Sequence, residues 1–363
     1  TTHALFGRAV MEALEAGGLA GEALVLGKEG RPLEPDEEAI QAATDAVRTA
    51  SGRGACILLG IGSGAVNDLG KHVANQQGVP YISVATAPSM DGFAAPISAI
   101  VVQKVKTTVP SRSPDAVLAD LEILTSAPAA LVSAGFGDVL GKLTSLADWK
   151  LAHVLFDEYW CRETAEAVGG IARRVTATAA DVAARSPGAV GDLMEALVRA
   201  GTSVLHIGYS RPTSGAEHLV SHFIEMWSVN RGLRPPAHGH VVGVGTLVVC
   251  RVAEVLRERG RPSATPRYRL PEPPPARPEG SLPSAPAPHD VLAALRIDSV
   301  PSNFGTSKFD ADAAAGRVRR MADRWPEARD VLAALPPAAE VEAVLRAAGC
   351  PVRFSELGID GET

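Results

Sequence analysis

The sequence predicts an α/β amino-terminal domain with a parallel sheet, followed by an all-α carboxyl-terminal domain. Short apolar runs ending in glycine alternate with helical patterns in the first third of the chain, and helical patterns dominate from about residue 130 onward. We therefore expect residues 1–129 and 130–363 to form separate domains. A stretch at about 261–288 holds ten of the 27 prolines, which predicts an exposed insertion in the second domain.

Composition excludes several classes of protein. The chain has 363 residues, 46% hydrophobic and 21% charged, with a net charge of −6, which argues against a nucleic-acid partner. No apolar run is long enough to predict a membrane span. The first 18 residues have the pattern of an amphipathic helix and not that of a signal peptide. Four scattered cysteines without a CxxC pair predict free thiols, so a cytoplasmic protein is expected.

The predicted strands of the first domain are "EALVLG" (22–27), "ACILLGIG" (55–62) and a run within "GVPYISVATAPS" (78–89). Such runs are typical of parallel strands that are covered on both faces. Residues 34–54 have helical spacing, a polar start and a glycine stop. The strand–helix–strand order predicts an open sheet that binds ligands at the carboxyl ends of its strands.

Two segments follow predicted strands. In "GIGSGAVNDLGK" (60–71), glycines would permit a tight turn, and the free amides at the start of the next helix would donate hydrogen bonds to a phosphate. The spacing matches neither the dinucleotide fingerprint nor the Walker pattern, so a purely structural turn is also compatible with it. In "TAPSMDGFAAP" (86–96), Thr86, Ser89 and Asp91 lie where such a sheet presents ligand contacts, although a capped turn explains them equally well.

Candidate metal ligands lie in the helical part of the chain. Asp138 is expected at the start of a helix, where an N-cap role is the commonest explanation, with Lys142 one turn further on. His218 and His222 would share a helix face, and His238 precedes a glycine, as a ligand on a helix start or loop does. One carboxylate and two imidazoles suit zinc, nickel or ferrous iron and leave positions open for substrate oxygens.

These segments, in this order, resemble the glycerol-1-phosphate dehydrogenase family, within the superfamily of 3-dehydroquinate synthase, glycerol dehydrogenase and iron-containing alcohol dehydrogenases. The resemblance rests on "GSGAVNDLGK", "APSMDGFAAP", "GFGDVLGKLTSLADWKLAHVLFDEYWC", "SGAEHLVSH" and "HGHVVGVGTL" and covers most of the chain. "PSMDG" and "LADWKLAHVLFDEYWC" point to the bacterial branch. It implies a dehydroquinate synthase-like fold, with a nucleotide-binding first domain and a metal-binding second domain.

The resemblance also implies roles for particular residues. One divalent metal (Zn, Ni or Fe) would be held by Asp138, His218 and His238, while His222 would face the substrate. The diphosphate of NADPH or NADH would lie against Gly62, Ser63 and Gly64, with Asn67 and Asp68 at the helix start. Thr86 and Ser89 would line the adenosine side, Asp91 would lie near the nicotinamide and the substrate hydroxyls, and Lys142 would contact the substrate phosphate.

The implied reaction is the reduction of dihydroxyacetone phosphate to sn-glycerol 1-phosphate, or of a closely related three-carbon phosphate or phosphonate, by a homodimer. Cofactor preference is predicted from the end of the first strand, where Lys28 and Arg31 could pair with the 2′-phosphate of NADPH. The alternative is a solvated turn in which Glu29 contacts the ribose of NADH.

Two other functions share these features. A cyclase of the dehydroquinate synthase type would use the same metal and NAD, but the arginine and asparagine pattern expected for its substrate is absent from the sequence. A non-catalytic nucleotide-binding relative would have no need of three intact metal ligands.

Overall fold

The computed structural model describes residues 6–27, 33–102, 105–260 and 311–359. The predicted proline-rich insertion at 261–288 lies outside these described residues. Within them the chain begins with a mixed α/β region and continues as helices. The predicted fold class is confirmed: a parallel sheet lies in the amino-terminal part, and the rest is helical. The division into domains at residues 129 and 130 stays a prediction.

The described strands are short and the central helices are long. The strands are β1 (Leu58–Gly62), β2 (Tyr81–Ala85), β3 (Ile97–Val102), β4 (Val105–Pro110) and β5 (Ala116–Leu118). The helices are α1 (Arg8–Ala16), α2 (Glu37–Ser51), α3 (Gly64–Gln77), α4 (Leu121–Ser126), α5 (Ala129–Phe156), α6 (Arg162–Ala177), α7 (Ala179–Ala183), α8 (Pro187–Ile207), α9 (Ala216–Asn230), α10 (His238–Arg259), α11 (Ala311–Asp323), α12 (Trp325–Ala333) and α13 (Ala338–Ala347). A 3₁₀ turn (Asp91–Phe93) lies between β2 and β3.

Strand β2 lies between β1 and β5 in a parallel sheet. Leu58 pairs with Tyr81 and Gly62 with Ala85, so β1 and β2 end at the same edge. The loop that leads from Gly62 into α3 therefore lies beside the loop that follows β2. This is the edge at which the sequence predicts a ligand.

The predicted strand at residues 22–27 is wrong, because the chain is irregular there. Leu24 and Val25 are exposed, and only Leu26 packs against the cluster formed by α2 and α3. A strand needs a neighbour that accepts and donates its backbone hydrogen bonds, and no described strand pairs with this segment. An apolar run by itself does not reveal whether such a neighbour exists.

The sequence analysis missed the antiparallel hairpin of β3 and β4. Its strands pair from Ile97 opposite Pro110 to Val102 opposite Val105. The buried side chains of Ile100, Val102 and Val109 pack together on one face of the hairpin. The hairpin also contacts α3 on one side and α9 on the other, so it connects the two parts of the fold.

Helix α5 is the centre of the helical region, and it packs most extensively against α10. A Cβ atom added to Gly137 would lie 2.2 Å from the carbonyl oxygen of Gly239, and one added to Gly239 would lie 1.8 Å from that of Ala134. The backbones of α5 and α10 therefore touch at glycines. This contact sets the positions of the residues beside it, Asp138 and His238.

Helix α10 is long and apolar enough to cross a membrane by length and composition, which the sequence analysis did not anticipate. Half of its most apolar window is buried inside the molecule. Val241, Val242 and Val244 lie in the interior, and α5 and α9 pack against the helix. We therefore interpret α10 as a core helix. The four cysteines are free, as predicted, and burial raises the pKa of Cys250 and of Cys350 to about 12.

Candidate metal and nucleotide site

Three helices bring together the three predicted metal ligands. Asp138 lies on α5, His218 on α9, and His238 is the first residue of α10. One potential ligand atom from each lies within 4.8 Å of the other two. Asp138 is fully buried, and His218 is 5% exposed. Residues far apart in the chain thus form one compact group of a carboxylate and two imidazoles.

Asp138 does not cap a helix, contrary to the sequence-based expectation. It lies well inside α5, because that helix begins at Ala129. Burial by itself would raise the pKa of the carboxyl, but the Lys142 ammonium and the two histidines outweigh burial and lower the pKa to about 2. Asp138 is therefore a carboxylate at neutral pH, the form that binds metal ions.

Each ligand histidine has a buried glutamate on its Nδ1 atom. The Nδ1 of His218 lies 2.8 Å from Oε1 of Glu217, and the Nδ1 of His238 lies 2.5 Å from Oε1 of Glu225. A carboxylate can only accept, so each Nδ1 carries a proton, and in the neutral form of each ring Nε2 has the lone pair that binds a metal. The sequence analysis assigned no role to either glutamate. Glu225 could have been recognised from its spacing, because it lies seven residues after His218 and so on the same face of the helix.

The charges around the three ligands favour a divalent cation. The charged groups in and around the site are Asp138 and the two glutamates that bind the histidines, together with their ion-pair partners. Lys106 pairs with Glu225, Lys142 pairs with Asp138, and Asp91 pairs with Lys142. These four carboxylates and two ammonium groups carry a net charge of −2. Burial by itself would lower the pKa of His238, but Glu225 outweighs burial and raises the pKa, which is a further sign that a positive charge is favoured here. Asp138, Glu217 and Glu225 are at most 1% exposed, and uncompensated charge in such a place is costly. The donor set therefore fits a metal such as zinc, nickel or ferrous iron.

His222 lies beside the ligand group, on the same helix as His218. Its ring centre is 5.8 Å from that of His238 and 6.0 Å from that of His218. Burial, and then the neighbouring His238, lowers the pKa of His222 to about 3. The imidazole is therefore neutral, with one N–H donor and one acceptor nitrogen next to the ligand group.

Lys142 is enclosed by acceptors. Its Nζ lies 2.6 Å from Asp138 Oδ1, 2.7 Å from Asp91 Oδ2 and 3.0 Å from the carbonyl oxygen of Thr213. The two carboxylates outweigh burial and raise the pKa of Lys142. The predicted contact with a substrate phosphate would require the ammonium to leave one of these acceptors. The structure instead places Lys142 between Asp138 and Asp91.

The 3₁₀ turn that begins at Asp91 joins the metal group to helix α3. The backbone N–H of Asp91 donates to Asp138 Oδ2 at 2.9 Å, while its carboxylate pairs with Lys142. The next residue, Gly92, accepts hydrogen bonds from Asn67 and Lys71 of α3. The 3₁₀ turn is thus held from both sides.

The glycine loop has the expected strand–turn–helix form. Gly62 ends β1, Ser63 lies at the N-cap position in an extended conformation, and Gly64 begins α3. A Cβ atom on Gly62 would lie 2.5 Å from a methyl group of Val66, so the turn requires glycine there. The first amides of α3 lack partners within the helix and can donate hydrogen bonds to an anion.

Two predicted cofactor residues have their side chains engaged inside the protein. Asn67 is 1% exposed and donates to the carbonyl oxygen of Gly92, and Asp68 pairs with Lys71 at 3.1 Å. Burial raises the pKa of Asp68, although Lys71 opposes this. These side chains hold α3 against the 3₁₀ turn, so the loop backbone is the part that remains for a diphosphate.

Thr86 and Ser89 follow β2 beside the glycine loop, as predicted. The N–H of Thr86 donates to the carbonyl oxygen of Gly62 at 3.0 Å, which joins the two strand ends. Both side chains are largely buried. Lys28 and Arg31, the basis of the predicted NADPH preference, lie outside the described residues.

The chain thus combines an α/β region that contains a glycine loop with a helical region that carries an Asp–His–His group, and this combination defines a class of protein. A family model described as "Iron-containing alcohol dehydrogenase" matches residues 1–128. The chain is 35% identical over 260 residues to the glycerol-1-phosphate dehydrogenase (NAD(P)+) of Bacillus licheniformis, covering 70% of this chain and 63% of that protein. It is 34% identical over 228 residues to the enzyme of the same name from Sulfolobus acidocaldarius, covering 61% and 64%.

The resemblance to the glycerol-1-phosphate dehydrogenase family is thereby confirmed. The chain spans less than two thirds of the length of these curated relatives. Among solved structures, an archaeal alcohol dehydrogenase from a Red Sea brine pool matches with a TM-score of 0.58 and 14% identity, covering 98% of this chain and 79% of that one. A probable glycerol dehydrogenase from Sinorhizobium meliloti matches with a TM-score of 0.52 and 22% identity, covering 96% and 89%. These likenesses show the fold.

Proposed function

We propose that this protein is a metal-dependent, NAD(P)H-linked dehydrogenase that reduces dihydroxyacetone phosphate, or a closely related three-carbon phosphate or phosphonate, to the alcohol, sn-glycerol 1-phosphate in the first case. The observation that carries the proposal is the buried Asp138–His218–His238 group, with two glutamates behind it. The names of the curated relatives support both the nucleotide and the substrate.

The chain's own residues would bind and orient the reactants. The glycine loop would hold the diphosphate at the start of α3, and Asp138, His218 and His238 would hold the metal. When bound, these groups supply a hydride donor and a Lewis acid that polarises the carbonyl. The 3₁₀ turn is hydrogen-bonded to α3 and to Asp138, which supports the proposal that Asp91 contacts the substrate hydroxyls while its carboxylate stays paired with Lys142.

A proton must reach the substrate oxygen after hydride transfer. The neutral His222 imidazole can donate a hydrogen from one nitrogen and accept one from water at the other. We propose that it passes a proton in this way. Lys142 would act by holding Asp91 and Asp138 in place, and contact with the substrate phosphate would be a lesser role.

The two alternative functions have less support. A cyclase of the dehydroquinate synthase type would use the same kind of site, but the curated relatives are named dehydrogenases. A non-catalytic relative would not need a buried Asp–His–His group surrounded by carboxylates and ammonium groups with a net charge of −2. The preference for NADPH over NADH remains a proposal based on Lys28 and Arg31.

The decisive experiment is oxidation of NADPH and NADH with dihydroxyacetone phosphate, before and after removal of metal by a chelator. We expect turnover that is lost on chelation and restored by Zn²⁺, Ni²⁺ or Fe²⁺. Asp138→Asn and His218→Ala should lose both metal and turnover with little change in helical content. His206→Ala, on the exposed end of α8, is the matched control and should behave as the parent. Full activity in a metal-free preparation would overturn the proposal.

A further inference from the structure

The two glutamates behind the histidines are the basis of a further inference, which rests on the proposed function. Glu217 and Glu225 are 0% and 1% exposed and lie on the same helix as His218. Burying two carboxylates costs several kcal/mol unless their oxygens are satisfied. Their partners therefore indicate what the carboxylates stabilise.

Glu217 is held in place independently of its histidine. Its Oε1 accepts the backbone N–H of Gly215 at 2.6 Å, and its Oε2 accepts the Thr144 hydroxyl at 2.7 Å. The same Oε1 accepts the Nδ1–H of His218. Because the carboxylate is fixed by two other donors, it constrains the orientation of the imidazole.

Glu225 is held by a residue from the other part of the fold. Its Oε1 accepts the Ser221 hydroxyl at 2.8 Å and the Nδ1–H of His238, and its Oε2 pairs with the Lys106 ammonium. Lys106 lies on β4 of the hairpin that follows the 3₁₀ turn. The hairpin thus reaches α9 and neutralises the charge that orients a residue of α10.

We propose that Glu217 and Glu225 are positioning residues, which fix the His218 and His238 rings with Nδ1 protonated and Nε2 directed toward the metal, and that Lys106 anchors Glu225 in this role. The β3–β4 hairpin thereby contributes to a metal site whose three ligands all lie on helices. Carboxylate partners of this kind also raise the basicity of a ligating imidazole.

The experiment measures Zn²⁺ affinity by competition with a chromophoric chelator, so it does not depend on turnover. Glu217→Gln and Glu225→Gln should each raise the Kd by about 10–100-fold, because an amide does not enforce the imidazole tautomer. Lys106→Met should raise it by a smaller factor. Glu195→Gln removes a glutamate from an exposed ion pair on α8 and should leave the Kd within about twofold of the parent value.

Histidine NMR of the Zn²⁺-loaded protein distinguishes positioning from a general loss of structure. In the parent, the Nδ1 protons of His218 and His238 should both be hydrogen-bonded and slow to exchange. Glu217→Gln should change the His218 signal alone, and Glu225→Gln the His238 signal alone. Changes in both signals in each variant would indicate a structural role and overturn the proposal.

Failure of this proposal and failure of the proposed function give different results. Parent-like Zn²⁺ affinity in both glutamine variants overturns the positioning role, whatever the enzyme reduces. Tight Zn²⁺ binding that weakens in these variants, together with no turnover of dihydroxyacetone phosphate, supports the positioning role and overturns the proposed substrate. A parent protein that binds none of Zn²⁺, Ni²⁺ and Fe²⁺ overturns both.

Discussion

Substituting Gly137 by alanine tests whether the contact between α5 and α10 sets the geometry of the metal group. The added Cβ would lie 2.2 Å from the carbonyl oxygen of Gly239, where an ordinary contact begins at 3.4 Å. The obstructing atom belongs to the backbone, so no side-chain rotation relieves the clash. The two helices must separate locally by about 1 Å, and overpacking of this kind costs about 1–3 kcal/mol.

The separation acts directly on the ligands. Asp138 follows Gly137 in α5, and His238 precedes Gly239 in α10. Metal–ligand distances tolerate only about 0.2 Å, so a shift of about 1 Å should weaken Zn²⁺ binding by at least about tenfold. We expect Gly137→Ala to lower the urea midpoint and to raise the Zn²⁺ Kd, as measured by circular dichroism and chelator competition.

Gly170→Ala is the matched control. Gly170 lies inside α6, and a Cβ atom there would meet nothing within 4 Å. The substitution should stabilise the protein by about 0.5–1 kcal/mol through helix propensity and leave Zn²⁺ affinity unchanged. Both variants replace a helical glycine by alanine, but Gly137→Ala should lower the free energy of unfolding and Gly170→Ala should raise it. If Gly137→Ala stabilises the protein as Gly170→Ala does and keeps its metal, the reasoning is refuted.

Two further predictions concern single side chains. His222→Ala should retain the metal and lose turnover or substrate affinity, and loss of metal equal to that of His218→Ala would contradict its assignment. Burial raises the pKa of Asp148 to about 6, against the hydrogen bond from the Ala216 amide. Between about pH 4 and 6 the folded state therefore binds this proton while the unfolded chain has lost it. The free energy of unfolding falls as pH rises through this range, because the buried carboxyl must ionise above pH 6. Asp148→Asn should be more stable than the parent at pH 8, by up to about 3 kcal/mol, and lose that advantage below pH 4. Equal differences in urea midpoint at both pH values would exclude this.

Local patterns in the sequence sufficed for many of the elements. The glycine stop and helical spacing predicted α2, and the apolar runs before two loops predicted β1 and β2. The strand–turn–helix form at Gly62 and Gly64 was predictable because it depends on neighbouring residues. The same approach failed at residues 22–27, where strand formation depends on a partner that lies far away in the chain or is absent.

The sequence by itself determined which residue types were available for the site: two histidines on one helix face, a third before a glycine, and an aspartate in a glycine-containing helix. The tertiary structure alone decided how they are used. It placed Asp138 inside α5, enclosed Lys142 between two carboxylates, and brought Lys106 to Glu225 across 119 positions of sequence. These outcomes depend on the close packing of α5, α9 and α10 and on the hairpin that reaches them. Burial makes unpaired charge costly, so charges from distant segments must meet, and no local pattern in the sequence records which of them do.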